Sequence, residues 1–180
     1  ALGVKEYYFT GGEPFLNKDM VAILQKTLQY GPATVLTNGT ALKSEWLERL
    51  RTAEQASIYS LEFRVSIDGY TAVDNDPVRG DGTFDRILLG VRMLLDHDFL
   101  PIITVTRTHD DQEEAKLFDG FVRLLRDIGY TRPRIKILPT LRIGAETLRL
   151  RGYHDDERVT AEMLRDYDVS QLICSNSRIV

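Results

Sequence analysis

The sequence predicts an α/β fold in which five parallel strands alternate with helices. Five short segments rich in β-branched and aromatic residues recur about every thirty residues, and several are almost continuously apolar, as buried parallel strands are. These segments are Val4–Phe9, Ala33–Leu36, Leu61–Ile67, Pro101–Thr106 and Arg134–Leu138. An alternating order of strands and helices implies a parallel sheet with right-handed crossovers.

Four helices are predicted between these strands, because apolar residues repeat there at helical spacing. The four sets are Met20, Ile23, Leu24 and Leu28; Trp46, Leu47 and Leu50; Ile87, Leu88, Val91, Leu94 and Leu95; and Leu117, Phe118, Phe121, Leu124, Leu125 and Ile128. Gly31-Pro32 suits the end of the first helix. Asp110 and Glu113 form a variant capping box before the fourth helix, and Gly129 suits its end.

The pattern loosens after Pro139. Residues 140–157 form a polar segment rich in arginine, glycine and acidic residues, and a short helix is expected at about residues 158–166. We therefore expect a core domain over residues 1–140. Residues 141–180 are expected to form a linker, this short helix and the start of an extension.

Composition narrows the class of protein. The chain has 180 residues, 43% of them hydrophobic, which is enough apolar material for one packed domain. Its net charge of −4 gives no electrostatic reason to expect nucleic acid or an anionic membrane as a partner. Apolar runs fall far short of the ~20 residues that cross a bilayer, and the N-terminus has no signal-peptide pattern.

The single cysteine, Cys174, limits the chemistry. One thiol excludes an intramolecular disulfide and fits a reducing, cytoplasmic location. It also excludes a cysteine-ligated iron–sulfur cluster built from this chain alone, because such clusters need several thiolates.

Polar residues follow the predicted strands at their carboxyl ends, where parallel α/β folds place their sites. The first strand is followed by Thr10-Gly-Gly-Glu-Pro14. Its glycines permit close approach to a ligand, and Glu13 would repel a phosphate but suit an ammonium group. The motif is neither GxGxxG nor a P-loop. An ordinary strand-to-helix turn is the alternative.

The other strand ends add further candidates. Thr37-Asn-Gly-Thr40 follows the second strand and is also typical of a plain turn. Ser66 and Asp68 end the third strand two residues apart, so both can reach the vicinal hydroxyls of a ribose, unless Asp68 only caps a turn. The fourth strand ends in Thr104-Val-Thr-Arg107, a same-face hydroxyl pair followed by a guanidinium that can bind a carboxylate or form a surface ion pair.

The fifth strand ends in Leu138-Pro139, an apolar edge that suits a flat base or simply stops the strand. Taken together, the five strand ends supply binders for an ammonium group, a ribose, a carboxylate and a base. An adenosylated amino acid has these four parts.

The sequence resembles the radical S-adenosylmethionine (SAM) superfamily over most of residues 4–140. Phe9-Thr-Gly-Gly-Glu-Pro14 is similar to the family's GGE motif, which implies that Gly11, Gly12 and Glu13 contact the amino group of SAM. Val65-Ser-Ile-Asp-Gly69 resembles the strand that contacts the ribose, which assigns Ser66 and Asp68 to that role. Thr37 and Asn38 resemble the end of the strand between these two.

The last two strands resemble the family more weakly. Thr106 and Arg107 match positions where polar groups meet the methionine carboxylate, and Leu138 matches a position near the adenine. The resemblance implies a partial TIM-like (β/α) barrel that lacks its first β/α unit, because the family's CxxxCxxC loop precedes the GGE strand and is absent here. Cys174 lies in a stretch that resembles the start of an auxiliary-cluster extension; a free thiol is the alternative.

The implied activity is that of an Fe–S oxidoreductase. With a [4Fe–4S] cluster, whose ligands this chain lacks, such an enzyme cleaves SAM to a 5′-deoxyadenosyl radical that abstracts hydrogen from an unknown substrate, a small molecule or a peptide. We expect the chain alone to be inactive, an external electron donor to be needed, and the exposed sheet edge to favour self-association. The alternatives are an unrelated TIM-type or Rossmann-like metabolic enzyme and a non-catalytic scaffold.

Overall fold

A computed structural model describes residues 4–107, 114–144, 146–149 and 151–171. The chain divides into two compact units, Ala1–Thr140 and Leu141–Val180. No helix in the described ranges combines the length and the apolar character needed to cross a membrane.

The first unit contains one sheet of five parallel strands, paired in sequence order. The strands are β1 (Tyr7–Phe9), β2 (Ala33–Thr37), β3 (Leu61–Ser66), β4 (Ile102–Arg107) and β5 (Arg134–Pro139). The order confirms the predicted α/β architecture. Right-handed crossovers between strands that pair sequentially place the connecting helices on one side of the sheet, as in a β/α barrel.

Five helices belong to this unit and a sixth lies in the second unit, within the part of the chain that the structure describes. They are α1 (Met20–Thr27), α2 (Ser44–Gln55), α3 (Ala72–Arg79), α4 (Thr83–Asp96), α5 (Glu114–Asp127) and α6 (Glu146–Arg149). Short 3₁₀ turns occupy Pro14–Leu16, Asp155–Glu157 and Val169–Gln171. Gly129 ends α5 with φ +93, as predicted for a helix C-terminus.

The two faces of the sheet differ in chemistry because successive strand residues point to opposite sides. Val35, Phe63, Val65, Ile103 and Val105 are each at most 1% exposed and form one apolar cluster with residues of α1, α2, α4 and α5. The opposite side, here called the open face, is largely polar. Its residues include Glu6, Tyr8, Thr34, Glu62, Arg64, Ser66, Thr104, Arg134 and Lys136.

Three sequence predictions differ from the structure. The first strand begins at Tyr7 rather than Val4. Helix α3 was not predicted, because its residues Ala72–Arg79 include Asp, Asn and Pro and carry no apolar stripe. The helix expected at residues 158–166 is wrong: residues 161–166 form turns. Nearly all of this segment is exposed, so no burial compensates the cost of ordering a short helix. The capping box predicted at Asp110 and Glu113 lies outside the described residues.

In the described part of the second unit, polar contacts converge on Glu157. Glu157 accepts hydrogen bonds from Arg151 at 2.6 Å and from the backbone N–H of His154 at 2.7 Å, and it pairs with Arg142 at 3.2 Å. The hydrogen bond from Arg151, followed by that from His154, lowers the pKa of Glu157 to about 2. These surface interactions order a turn without an apolar core.

An ionic network crosses the open face near the amino ends of the strands. Glu62 accepts from Arg64 at 2.9 Å and from Arg134 at 2.8 Å, and the Arg64 guanidinium lies 5.4 Å from the centre of the Tyr8 ring. Burial raises the pKa of Glu62, but the hydrogen bonds from Arg134 and Arg64 outweigh it and hold that pKa below its ordinary value of 4.5. The ion pairs therefore stabilise the fold above about pH 4.5, and this contribution is lost as the pH falls through the lowered pKa.

Replacing Glu62 by glutamine is expected to lower the free energy of unfolding at pH 7 by about 1 kcal/mol, because both arginines lose a charged partner that is partly exposed to solvent. The variant should also lose less stability than the wild type between about pH 5 and about pH 3. Urea denaturation over that range measures both effects. Glu48→Gln, on the exposed side of α2, is the control. An unchanged pH slope in Glu62→Gln would contradict the prediction.

Candidate functional site

The predicted site residues lie at the carboxyl edge of the sheet. Gly11 and Gly12 follow β1, Thr37 ends β2, Ser66 ends β3, and the ends of β4 and β5 pair through Thr106 and Leu138. Parallel strands bring these ends to one edge, so Gly11 and Leu138, 127 positions apart in the chain, share one surface. This is the geometry that the sequence predicts.

The glycine turn after β1 is open to solvent. Gly11 and Gly12 are exposed, Gly11 has φ +153, and a Cβ built on either residue meets no atom within 4 Å. The space in front of the turn is therefore free, and backbone groups of the turn are accessible to a ligand.

Glu13 anchors this turn to the next strand. Its Oε1 accepts from the backbone N–H of Phe15 at 3.1 Å and from the Thr37 hydroxyl at 2.7 Å, while its Oε2 accepts from the backbone N–H of Asn38 at 2.7 Å. Three donors hold the carboxylate between the β1 and β2 loops. Glu13 thus positions the glycine turn, and its direct contact with an ammonium group stays a prediction.

Thr37 and Asn38 also bond within their own loop. Thr37 is 3% exposed, and its hydroxyl accepts from the backbone N–H of Gly39 at 3.0 Å. Asn38 Oδ1 accepts from the backbone N–H of Thr40 at 2.9 Å and from the Thr40 hydroxyl at 2.8 Å. These hydrogen bonds are typical of a turn, and they fix the conformation of the loop after β2.

Ser66 and Asp68, predicted as a ribose-binding pair, have different surroundings. The Ser66 side chain is half-buried and makes no hydrogen bond to any residue that the structure describes. Asp68 is only 4% exposed; its Oδ2 accepts from Arg79 Nε at 2.7 Å, and its Oδ1 accepts from the backbone N–H of Thr106 at 3.0 Å. Ser66 therefore has a free hydroxyl, whereas Asp68 braces the end of β3 against α3 and β4.

Sequence reasoning missed the residues of α3 that support this brace. Asn75 is fully buried, and its Oδ1 accepts from the backbone N–H of Asp68 at 3.2 Å. Its Nδ2 donates to Asp76 at 3.1 Å. That hydrogen bond, with those from the backbone of Phe84 and Gly82, holds the pKa of Asp76 below its usual value. The available signal was Thr71 as an N-cap for α3, which accepts from the backbone N–H three residues later.

The ends of β4 and β5 are described in part. The Thr106 backbone N–H is held by Asp68, and Leu138, its partner in β5, is half-buried. Arg107 pairs with Pro139 through the backbone, and its side chain lies outside the described residues. The Thr104 hydroxyl is buried and has no hydrogen-bond partner among the described residues.

The edge offers groups that fit SAM, and the described residues supply no ligand set for an iron–sulfur cluster. The open glycine turn and the unpartnered hydroxyls of Ser66 and Thr104 are the kind of groups that receive a nucleoside and an amino acid. Among the described residues, no group of three or more His, Cys, Asp and Glu side chains could hold a metal ion. Cys174, predicted as an auxiliary-cluster ligand, lies outside the described residues.

Comparison with known proteins identifies the family of this chain. The family model of the Radical SAM superfamily matches residues 1–119. Among curated proteins, the chain is 27% identical over 174 residues to a probable GTP 3′,8-cyclase of Saccharolobus solfataricus, covering 95% of this chain and 53% of the relative. It is 28% identical over 175 residues to the mycofactocin maturase MftC of Mycolicibacterium smegmatis, covering 94% of this chain and 40% of that protein.

Solved structures share the fold. The structure of native anSMEcpe with bound AdoMet and Cp18Cys peptide matches with a TM-score of 0.58 and 16% identity, over 76% of this chain and 38% of that one. The predicted partial barrel is thereby confirmed. The chain spans about half the length, or less, of the curated relatives it matches. With a family match over residues 1–119 of 180, the chain belongs to the Radical SAM superfamily.

Proposed function

We propose that this chain binds SAM at the carboxyl edge of its sheet and that the whole protein is a radical SAM enzyme. The observation that carries the proposal is the Ser66 hydroxyl, which has no partner among the described residues and lies on the same edge as the open glycine turn. The contacts of Asp68 with Arg79 and Thr106 hold the end of this strand in place. A hydroxyl without an internal partner can bond to a ribose without breaking a contact of the fold.

Each part of SAM has a candidate partner. The exposed backbone of Gly11 and Gly12 receives the ammonium group, with Glu13 holding the turn in place. Ser66 receives a ribose hydroxyl, and the half-buried Leu138 offers an apolar surface to the adenine. Thr106 and Arg107 remain the candidates for the carboxylate.

The chemistry divides between cofactor and protein. SAM, when bound, supplies the adenosyl group that members of this superfamily use for radical chemistry. The residues of this chain fix the orientation of SAM. Glu13 joins the loops after β1 and β2, and Asp68 joins the ends of β3 and β4. Such preorganisation keeps reacting atoms aligned.

Replacing Ser66 by alanine is expected to weaken SAM binding by about tenfold, because the ribose loses a hydrogen bond in a partly desolvated site. Calorimetry on the full-length gene product, purified anaerobically, measures the affinity. Ser60→Ala is a matched control, since Ser60 is exposed and lies just before the amino end of the same strand. Equal affinities in the wild type and Ser66→Ala would contradict the proposed ribose contact.

We further propose that the full-length protein carries the [4Fe–4S] cluster and releases 5′-deoxyadenosine from SAM under reduction. Iron and sulfide content and the yield of 5′-deoxyadenosine test this directly. A protein that lacks iron and yields no 5′-deoxyadenosine would instead act as a non-catalytic scaffold.

The substrate is proposed to be a small molecule or a peptide. The relatives include both a probable GTP 3′,8-cyclase and a mycofactocin maturase, so family membership alone is compatible with either class of substrate. We propose a cytoplasmic location, because a chain of 180 residues with a single cysteine suits a reducing compartment. We also propose that the whole protein needs an external electron donor. Self-association is proposed through the exposed sheet edge at β1 or β5.

A further inference from the structure

Three neighbouring strands place polar side chains in one row across the open face. Ser66 of β3 pairs with Thr104 of β4, and Thr104 pairs with Lys136 of β5. All three residues alternate with apolar residues that face the helices, namely Val65, Val105, Ile135 and Ile137. The row lies one side-chain step further into the sheet than Thr106 and Leu138.

The centre of this row has an unsatisfied group. The Thr104 hydroxyl is buried and lacks a hydrogen-bond partner among the described residues. Buried polar atoms are almost always paired, and leaving one unpaired costs about 1–3 kcal/mol. Because this oxygen exposes less than 1 Å² to solvent, the Thr104 side chain must turn before a ligand atom can bond to it and remove that cost.

Lys136, the β5 residue that pairs with Thr104, adds a positive charge to the same row. The other two cations of the open face, Arg64 and Arg134, both bind Glu62. Lys136 is exposed and has no ion pair within the described residues. An ammonium group supplies three donors and no acceptor, so the hydroxyl and the ammonium together suit an anionic oxygen.

We propose that Thr104 and Lys136 form an anion subsite that binds a carboxylate or phosphate group of a ligand. The inference rests on the proposed function, in which Ser66 holds the ribose of SAM. Because Thr104 is the direct neighbour of Ser66, the subsite lies beside the adenosyl group. Thr106 and Arg107 are the candidates for the carboxylate of SAM, so this second anion belongs to the substrate. The proposed substrate class is therefore a compound that carries a negative group close to the position from which hydrogen is abstracted.

The test compares ligand affinities of the full-length protein, purified anaerobically and measured without reductant. The probes are GTP, guanosine, which is the same nucleoside without phosphates, and SAM. In Lys136→Met, GTP binding is expected to weaken by about tenfold while guanosine binding stays unchanged, because a charged hydrogen bond is lost. Lys136→Arg should retain GTP binding to within about threefold, since the charge remains.

Two further variants separate the subsite from general effects. Lys116→Met removes the same charge from an exposed position on α5 and should change no affinity. Thr104→Val keeps the side-chain shape and removes the hydroxyl, so it should weaken GTP binding without lowering the stability of the free protein.

The outcomes distinguish the two sources of an anion. Weaker GTP binding in Lys136→Met with unchanged SAM binding assigns the subsite to the substrate. Weaker SAM binding with unchanged GTP binding keeps the anion subsite and assigns it to the carboxylate of SAM. Unchanged binding of both probes overturns the subsite. A wild-type protein that shows Lys136-dependent GTP binding and no SAM binding would retain the subsite and overturn the proposed function.

Discussion

Replacing Gly90 by alanine is expected to lower the free energy of unfolding by at least about 3 kcal/mol, the largest stability effect we predict for a single methyl group in this chain. A Cβ at Gly90 of α4 would lie 2.1 Å from the backbone carbonyl oxygen of Gly39. Backbone atoms cannot rotate aside as a flexible side chain can, so the helix or the loop must move.

The same substitution reaches the candidate site, because Gly39 follows Asn38 in the loop that Glu13 holds. Gly39 has φ +74, and a Cβ built on it would lie 3.2 Å from Val65 Cγ1. Val65 therefore leaves the Gly39 loop little space in which to move. We therefore expect SAM affinity to fall along with stability.

Leu89→Ala is the control on α4. Leu89 is 59% exposed, so removing its side chain should lower the free energy of unfolding by less than about 0.5 kcal/mol. Equal urea denaturation midpoints for Gly90→Ala and Leu89→Ala would contradict the close approach of α4.

Replacing Arg79 by methionine is expected to lower the free energy of unfolding by about 3 kcal/mol, because it leaves the Asp68 carboxylate buried beside an uncharged side chain. The Asp68 side chain is 3% exposed and that of Arg79 is 28% exposed, so solvent reaches the pair from the arginine side only. Denaturation in urea measures the loss.

A double-mutant cycle separates the ion pair from other effects. Asp68→Asn retains an oxygen that can accept from the Thr106 backbone N–H and removes the charge that needs Arg79. The double variant Asp68→Asn/Arg79→Met is therefore expected to be more stable than Arg79→Met alone. If the two single effects simply add, Arg79 and Asp68 act independently and the brace between β3, β4 and α3 is wrong.

The strands and most helices could be predicted because their signals are local. Runs such as Leu61–Ile67 are apolar at alternating or successive positions, and the helical repeats of α4 and α5 are strong. The strand ends then follow from topology alone, since parallel strands in sequence order bring their carboxyl ends together.

The bonding inside the site could not be predicted because it joins distant parts of the chain. Glu13 was interpreted as a ligand contact, and its partners inside the fold, Thr37 and Asn38, lie 24 and 25 residues away. Asp68 binds a backbone group 38 residues away and an arginine on a helix that shows no apolar stripe. Neither a motif nor a periodic pattern contains such information, so an acid that braces a loop and an acid that meets a ligand look alike in sequence.

Alternate residues of each strand face the apolar core or the open face, so substitutions on the two sides have different consequences. Val65, Ile103 and Val105 face the helices and are at most 1% exposed, so changes there disturb the packing of the whole unit. Ser66, Thr104 and Lys136 face away from that core, and a change among them leaves it intact. A lineage with this scaffold can therefore change the ligand that the proposed subsite binds by altering these three positions while the apolar core is retained.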